Sequence, residues 1–287
     1  MGRVIGALLY LRATSLKNAL RSRLLRLRQP KYMVGAMVGA VYLYLVFFRR
    51  MRAGGASSAA VSLGMPADVL PLAVTLAALG LTIGAVLCWI WPRKRASLSF
   101  SEAEIGFLFP APVSRRALIH YRLIGMQPGT LLSALIFGLI SSRWSFIPGG
   151  AAIRIAGWWI VLATFALHII GSSFVLTQLL DRGATSTRRR LSVFAMLGVA
   201  ALLLTVWLRF GLVSAAGPDL SGFGPFIAHL NSLMSSGPLY WVSWPSRLVV
   251  KPMFAHDAVS FTLSLGPALF VYALHYYWVL HMNVSFE

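Results

Sequence analysis

The chain has 287 residues, of which 58% are apolar and only 11% are charged, whereas soluble domains usually carry about 25% charged residues. Its formal net charge of +19 would suit a nucleic-acid-binding protein, but the basic residues stand in short clusters beside apolar runs. That distribution is typical of membrane flanks. We therefore predict an all-α, polytopic membrane helix bundle whose partners are membrane lipids and not nucleic acid.

The first 31 residues combine leucines with many arginines, which makes this segment too charged to cross a bilayer. A helix with one apolar and one basic face lies in the membrane interface instead. Since Pro30 would interrupt a helix, we predict an amphipathic elbow helix on the cytoplasmic surface over residues 1–31. Its basic contacts with the membrane surface are predicted to be Arg21, Arg23, Arg26 and Arg28.

Six apolar runs follow within the predicted transmembrane domain, residues 32–287. Each is close to the roughly 20 residues that a helix needs to cross the hydrocarbon core. The first has only 17 residues and the fourth has 26, so the fourth would tilt or extend beyond the core. The predicted spans are residues 32–48, 69–91, 123–141, 155–180, 191–208 and 258–280.

The distribution of Lys and Arg between the loops sets the orientation, because cytoplasmic loops are enriched in both. With the amino terminus in the cytoplasm, 18 of the 26 basic residues lie inside and 8 lie outside. Arg49, Arg50 and Arg52 oppose this assignment, but leaving out the first span changes the ratio to 16 against 10. We therefore expect a multi-pass cell-membrane protein with six spans and a cytoplasmic amino terminus.

Two long connections lie between these spans, a cytoplasmic one over residues 92–122 and an extracytoplasmic one over residues 209–256. Within the second, residues 226–234 and 245–250 are predicted to form short helices lying on the outer leaflet. Inside the spans, small residues recur four positions apart, which allows helix backbones to approach closely. We expect these pairs to pack within the bundle: Gly35 with Gly39, Ala73 with Ala77, Gly80 with Gly84, and Gly125 with Gly129.

The spans carry few groups suited to catalysis or ion coupling. The sequence has no Gly-x-x-x-x-Gly-Lys-Ser/Thr or His-Glu-x-x-His motif, and no carboxylate lies inside a span. His168 and His275 do lie within spans, but the sequence places no further metal ligands at helical spacing from them, so we interpret both as structural. We expect no metal site and no enzyme. A membrane-embedded lipid-modifying enzyme that uses His168, His275 or the basic inner face, and an ion-coupled secondary transporter, remain alternatives.

The cytoplasmic connection differs in composition from the rest of the chain. Ser101 can cap a short helix that carries two carboxylates, an apolar cluster follows, and Ser114 can cap the helix that enters the third span. The residues alone fit a solvated loop whose aromatic side chains reach the headgroups, and they fit equally a docking element with aromatic anchors and charged edges. The candidate docking residues are Glu102, Glu104, Phe107, Phe109, Pro110, Pro112, Ser114, Arg115 and Arg116.

The stretch FSEAEIGFLFPAPVSRRALIHYRL, residues 100–123, resembles the cytoplasmic loop between spans two and three of ATP-binding-cassette (ABC) exporter permeases. In these permeases a Pro-Val-Ser-Arg turn commonly precedes the third span, as residues 112–115 do here. The basic stretch SLKNALRSRLLRLRQPKY before the first span is similar to that family too. The two stretches cover about a fifth of the chain.

The resemblance implies a permease that is powered by a separate ATPase subunit, so that ATP and Mg²⁺ would bind to this partner and no cofactor to the chain itself. It also implies that the docking residues of the 92–122 connection couple the permease to the ATPase. Members of that family are about twice as long. The resemblance therefore leads us to expect either a half-size permease that forms a homodimer or, preferably, the first half of a longer permease.

Overall fold

The computed structural model describes the chain in segments, most of them helical. It describes residues 6, 10, 13–15, 17–18, 21–22, 25–26, 28–45, 69–90, 106, 114–141, 147–181, 186–214, 222–235 and 237–282. Within these residues there is no β-strand. The all-α membrane fold that the sequence predicts is therefore confirmed.

The described part of the chain contains eight α-helices and one short 3₁₀ helix. The helices of predicted membrane spans are α1 (Pro30–Leu43), α2 (Val69–Ile90), α3 (Arg115–Ser141), α4 (Ala151–Asp181), α5 (Ser186–Ser214) and α8 (Ala258–His281). Between α5 and α8 stand α6 (Phe223–Ser235), α7 (Gly237–Val250) and the 3₁₀ helix (Lys251–Phe254).

Four of these helices are long and apolar enough to cross a membrane, within the part of the chain that the structure describes. They cover residues 69–90, 116–141, 151–179 and 258–281. In sequence, helix α1 overlaps the predicted first span, and α5 contains the predicted fifth. Residues 46–48 of the first span are outside the described residues. The count of six spans stays a prediction.

The chain forms two compact units, and the first comprises residues 1–63 and 100–132. Every described residue from Gly6 to Arg26 is helical, and Arg21, Arg26 and Arg28 are exposed, whereas Arg23 lies outside the described residues. Pro30 is the first residue of α1, a position that tolerates proline because its missing N–H would have no partner within the helix. An apolar group at the start of α3 is buried: Ala117, Leu118, Ile119, Tyr121 and Leu123.

The second unit, residues 64–99 and 133–287, contains three long helices that run in the same direction. In α4, His168 lies 17 residues after Ala151, and in α8, His275 lies 17 residues after Ala258. His168 lies 3.3 Å from His275 between ring nitrogens, and three residues further along both helices Gly171 stands against the Trp278 ring, so α4 and α8 run parallel. On α2, Trp89 bonds to His168 and the earlier Gly84 stands against the earlier Phe165, so α2 runs in that direction as well.

This parallel arrangement constrains the topology. Two helices that cross a bilayer in the same direction need an odd number of crossings between them. Helix α3 provides the crossing between α2 and α4. Between α4 and α8 it would be provided by the 29-residue helix α5, which contains the predicted fifth span.

Helix α7 and the 3₁₀ helix lie inside the second unit. Val249, Val250, Met253 and Phe254 belong to its main apolar core together with residues of α4 and α8. The Thr82 hydroxyl, about 20 Å along α2 from its first residue, donates to Ser246 of α7 at 2.8 Å. The prediction that residues 245–250 lie on the outer leaflet is therefore wrong, because Val249 and Val250 are buried in the core formed with α4 and α8.

Close helix approach occurs at glycines that mostly differ from the predicted pairs. A Cβ on Gly157 of α4 would lie 2.4 Å from the Met253 Cα, and one on Gly171 would lie 2.6 Å from the Trp278 ring. Of the predicted pairs, Gly84 contacts the Phe165 ring, whereas Gly35, Gly39, Gly80 and Gly129 have open space where a Cβ would stand. The spacing of small residues in the sequence therefore did not predict which face of each helix packs against a neighbouring helix.

Candidate functional site

Most of the predicted ATPase-docking residues cannot be placed. Glu102, Glu104, Phe107, Phe109, Pro110 and Pro112 lie outside the described residues, so their role stays a prediction. Gly106, the one described residue of this run, is helical and exposed.

The end of the docking segment is described, and there it becomes α3. Ser114 is exposed and directly precedes the helix, and its hydroxyl accepts a hydrogen bond from the Ala117 N–H at 3.4 Å, which fits an N-cap. Arg115 and Arg116 occupy the first turn of α3, which contains no acidic residue, and Arg116 is exposed. Positive charge is unfavourable at a helix N-terminus unless an anionic group compensates it. A headgroup or an acidic surface is suited to this end of α3.

Inside the second unit, a chain of hydrogen bonds connects three helices through two histidines. The Trp89 Nε1–H donates to His168 Nε2 at 3.3 Å. The second nitrogen of this ring, Nδ1, lies 3.3 Å from His275 Nε2. His275 Nδ1 in turn lies 2.9 Å from the Val271 carbonyl oxygen of its own helix.

Only one set of neutral tautomers satisfies every bond in this chain. Because Trp89 can only donate, His168 Nε2 accepts and His168 Nδ1 carries the proton. His275 Nε2 then accepts, and its Nδ1–H donates to the Val271 carbonyl, which can only accept. Both histidines are thus satisfied without charge, as expected of structural histidines within a bundle.

Aromatic rings complete this cluster. The Trp278 ring stacks on Trp89 with centroids 6.4 Å apart, and its centroid lies 5.8 Å from that of His168. The missing side chain of Gly171 leaves space for Trp278. Two tryptophans thus cover the histidine pair, a grouping that the sequence does not reveal because its members come from three distant helices.

The serines that follow His168 along α4 bond within their own helix. Ser172 Oγ donates to the Ile169 carbonyl at 3.0 Å, and Ser173 Oγ donates to the Ile170 carbonyl at 2.8 Å. Such bonds to the preceding turn are common for serine in a helix interior. Among the described residues, no group of three His, Cys, Asp or Glu side chains could hold a metal ion.

Among the cavities lined by described residues of this unit, two bear on function. The inner one has a volume of 150 Å³ and opens beside His168 and His275, with Thr164 and Ser246 as further polar side chains. The larger one has a volume of 420 Å³ and lies beside the first turns of α2 and α8. We call the larger one the basic cavity, because Arg247, Lys251 and His256 line it.

A family model described as "Putative ABC exporter" matches residues 5–286 of the chain. The chain belongs to this ABC exporter family. The match covers almost the whole chain, whereas the resemblance seen in the sequence rested on the elbow and on the 92–122 connection. No curated protein and no solved structure matches the chain.

Membership of the ABC exporter family confirms the relationship that the sequence predicts. Together with the four membrane-length helices, it identifies a multi-pass membrane protein of a transport family. The histidine cluster and the basic cavity are therefore features of the membrane bundle of an ABC exporter family member.

Proposed function

We propose that this chain is the transmembrane permease subunit of an ABC exporter and that a separate ATPase subunit supplies the energy. The observation that carries the proposal is the family match over residues 5–286 of a chain built from membrane-length helices. ATP would be hydrolysed on the partner, since the sequence contains no phosphate-binding Gly-x-x-x-x-Gly-Lys-Ser/Thr loop.

The proposed docking surface is the cytoplasmic segment 92–122. Within it, Ser114 and Arg116 are exposed where α3 starts, and this helix continues to Ser141. A displacement of the docking segment would therefore act on the third span directly, because surface and span share one helix. The basic first turn of α3 favours an acidic surface on the ATPase.

Co-purification from native membranes tests this proposal. The tagged chain is extracted in mild detergent, and its partners are identified by mass spectrometry while ATP hydrolysis is measured. We expect a P-loop ATPase to accompany the wild-type chain and to be lost from a Glu102→Lys, Glu104→Lys variant. An Asp68→Lys, Asp219→Lys variant changes the net charge equally on predicted outer segments and should retain the ATPase.

Three results would contradict the proposal in different ways. The assignment of the docking surface would be wrong if the ATPase were recovered equally with both docking variants. These are Glu102→Lys with Glu104→Lys, and Phe107→Ala with Phe109→Ala. Absence of any P-loop ATPase from the wild-type preparation would remove the separate energy source. Lipid turnover by the purified chain without ATP would favour the membrane-embedded enzyme.

A further inference from the structure

The basic cavity brings Arg247, Lys251 and His256 to one open, partly apolar space. Its volume of 420 Å³ lies within the range of small-molecule pockets. Lys251 and His256 are exposed at its rim, whereas Arg247 is only 9% exposed. The remaining lining residues are Leu70, Pro71, Val74, Thr75, Asn231, Ser235, Phe254, Ala255, Ser260 and Ser264.

Arg247 is held in place by neutral groups. Its Nε–H donates to Ser243 Oγ at 3.1 Å and its Nη2 donates to the Met234 carbonyl at 2.8 Å. The guanidinium carbon also lies 4.8 Å from the centroid of the Tyr240 ring. These contacts fix the side chain and leave N–H donors of the guanidinium for a ligand.

No carboxylate neutralises this arginine within the described residues. The ion pair described in this region joins His256 Nε2 to Asp257 Oδ2 at 3.1 Å, with both side chains exposed. The Asp257 carboxylate also accepts the Ser260 N–H as the N-cap of α8, and this bond lowers the pKa of Asp257. A buried charge is costly, so an anion bound here would offset the cost of burying Arg247.

The apolar side of the cavity determines what kind of anion fits. Leu70, Val74 and Phe254 line it, and the neighbouring first turns of α8 expose Val259 and Leu263 by 68% and 75%. Those two side chains belong to a helix of membrane length, so their exposed apolar surface is suited to contact with lipid. A soluble anion would leave the apolar wall uncovered, whereas an amphiphile would cover the wall and neutralise the cations.

We propose that the basic cavity binds the phosphate of a phospholipid. Arg247 would form the central contact, because a guanidinium can pair with two phosphate oxygens at once. Lys251 and His256 would contact the headgroup from the rim, and an acyl chain would lie along Leu70, Val74 and Phe254. The proposal concerns binding by this chain alone and does not depend on an ATPase.

The test compares three probes on the purified chain in neutral detergent micelles. Phosphatidic acid carries both head and tails, diacylglycerol carries only the tails, and inorganic phosphate carries only the anion. Binding is measured as the shift in melting temperature with probe concentration. We expect phosphatidic acid to bind and the other two probes to give no shift at the same concentration.

Variants connect the binding to the cavity. Lys251→Ala with His256→Ala changes two exposed side chains and should weaken phosphatidic acid binding about tenfold. Arg247→Lys keeps the charge but loses bidentate pairing, so it should also weaken binding. The matched control is Arg209→Ala, which removes an exposed charge outside the cavity and should leave binding unchanged.

Several outcomes would overturn the proposal. Undiminished phosphatidic acid binding by the Lys251 and His256 variant would show that the lipid does not use this cavity. Inorganic phosphate binding as tightly as phosphatidic acid would replace the lipid by a soluble anion. An equal loss in Arg209→Ala would show that the lipid responds only to the overall charge of the protein. Each outcome is independent of whether the chain co-purifies with an ATPase.

Discussion

The hydrogen bonds around His168 run in one direction, from Trp89 through two imidazole rings to the Val271 carbonyl. Each ring accepts once and donates once, so every donor in this series of bonds meets an acceptor. At the scale of single residues, this arrangement couples α2, α4 and α8 through polar groups inside an otherwise apolar bundle.

Replacing one histidine should lower the free energy of unfolding by more than the loss of that residue's own hydrogen bonds. His275→Leu takes away the acceptor of the His168 Nδ1–H and leaves this donor unsatisfied within the bundle, at about 1–3 kcal/mol. His168→Leu with His275→Leu removes both groups, so its cost should be smaller than the sum of the two single costs. The expected coupling is about 0.6–1.7 kcal/mol, the range of hydrogen bonds between membrane helices.

The coupling is measured with a double-mutant cycle. The wild type, the two single variants and the double variant are unfolded in mixed detergent micelles, and their free energies of unfolding are compared. His281→Leu is the control, because the His281 ring bonds within its own helix to the Tyr277 carbonyl and is exposed. Strictly additive single costs would show that the two rings do not stabilise each other.

The pairing of His168 with His275 could not be predicted from the sequence. The two residues are 107 positions apart in the chain. No sequence pattern within α4 or α8 indicates that these two helices pack side by side and parallel. Helical spacing in the sequence relates His275 only to residues of its own helix. The sequence correctly favoured hydrogen-bonded structural histidines but did not identify their partners.

At the scale of helices, the segment from α7 to the 3₁₀ helix forms the centre of the second unit. Length and apolar composition are local properties, which is why the predicted spans agree closely with α2, α4 and α8. Helix α7 contains Pro245, Arg247 and two exposed tryptophans, a composition typical of an interface. Its burial depends on contacts with three distant helices, so the sequence pattern favoured the wrong location.

Gly157 should be essential to the contact between α4 and the 3₁₀ helix. An alanine Cβ there would lie 2.4 Å from the Met253 Cα, and a backbone atom cannot move aside without displacing the whole 3₁₀ helix. We expect Gly157→Ala to destabilise the protein by about 1–3 kcal/mol, as overpacking does in cores. Thermal unfolding of the purified protein measures this cost.

Gly80→Ala is the matched control for this substitution. It lies in a membrane-length helix too, but its Cβ would meet nothing within 4 Å, so the better helix propensity of alanine should leave stability unchanged or raised by up to about 1 kcal/mol. If Gly80→Ala destabilised the protein as much as Gly157→Ala, the loss would come from glycine itself and not from the contact with Met253.

At the scale of the whole molecule, the charge distribution and the parallel helices point to one topology. The basic residues favour a cytoplasmic amino terminus by 18 against 8 with six spans. The common direction of α2, α4 and α8 requires a crossing between each pair, which α3 and α5 can supply. The first span alone decides whether Arg49, Arg50 and Arg52 lie outside, and omitting it would invert every later segment.

Labelling of single cysteines distinguishes the two topologies. In a Cys88→Ser background, Ser57→Cys, Ser114→Cys and Ser232→Cys are treated with a membrane-impermeant thiol reagent in intact cells. Six spans predict that positions 57 and 232 react and that position 114 reacts only after permeabilisation. Five spans with a cytoplasmic amino terminus predict the reverse at all three positions. The reverse pattern would place the 92–122 segment outside, where no ATPase could reach it, and would turn the basic cavity towards the cytoplasm.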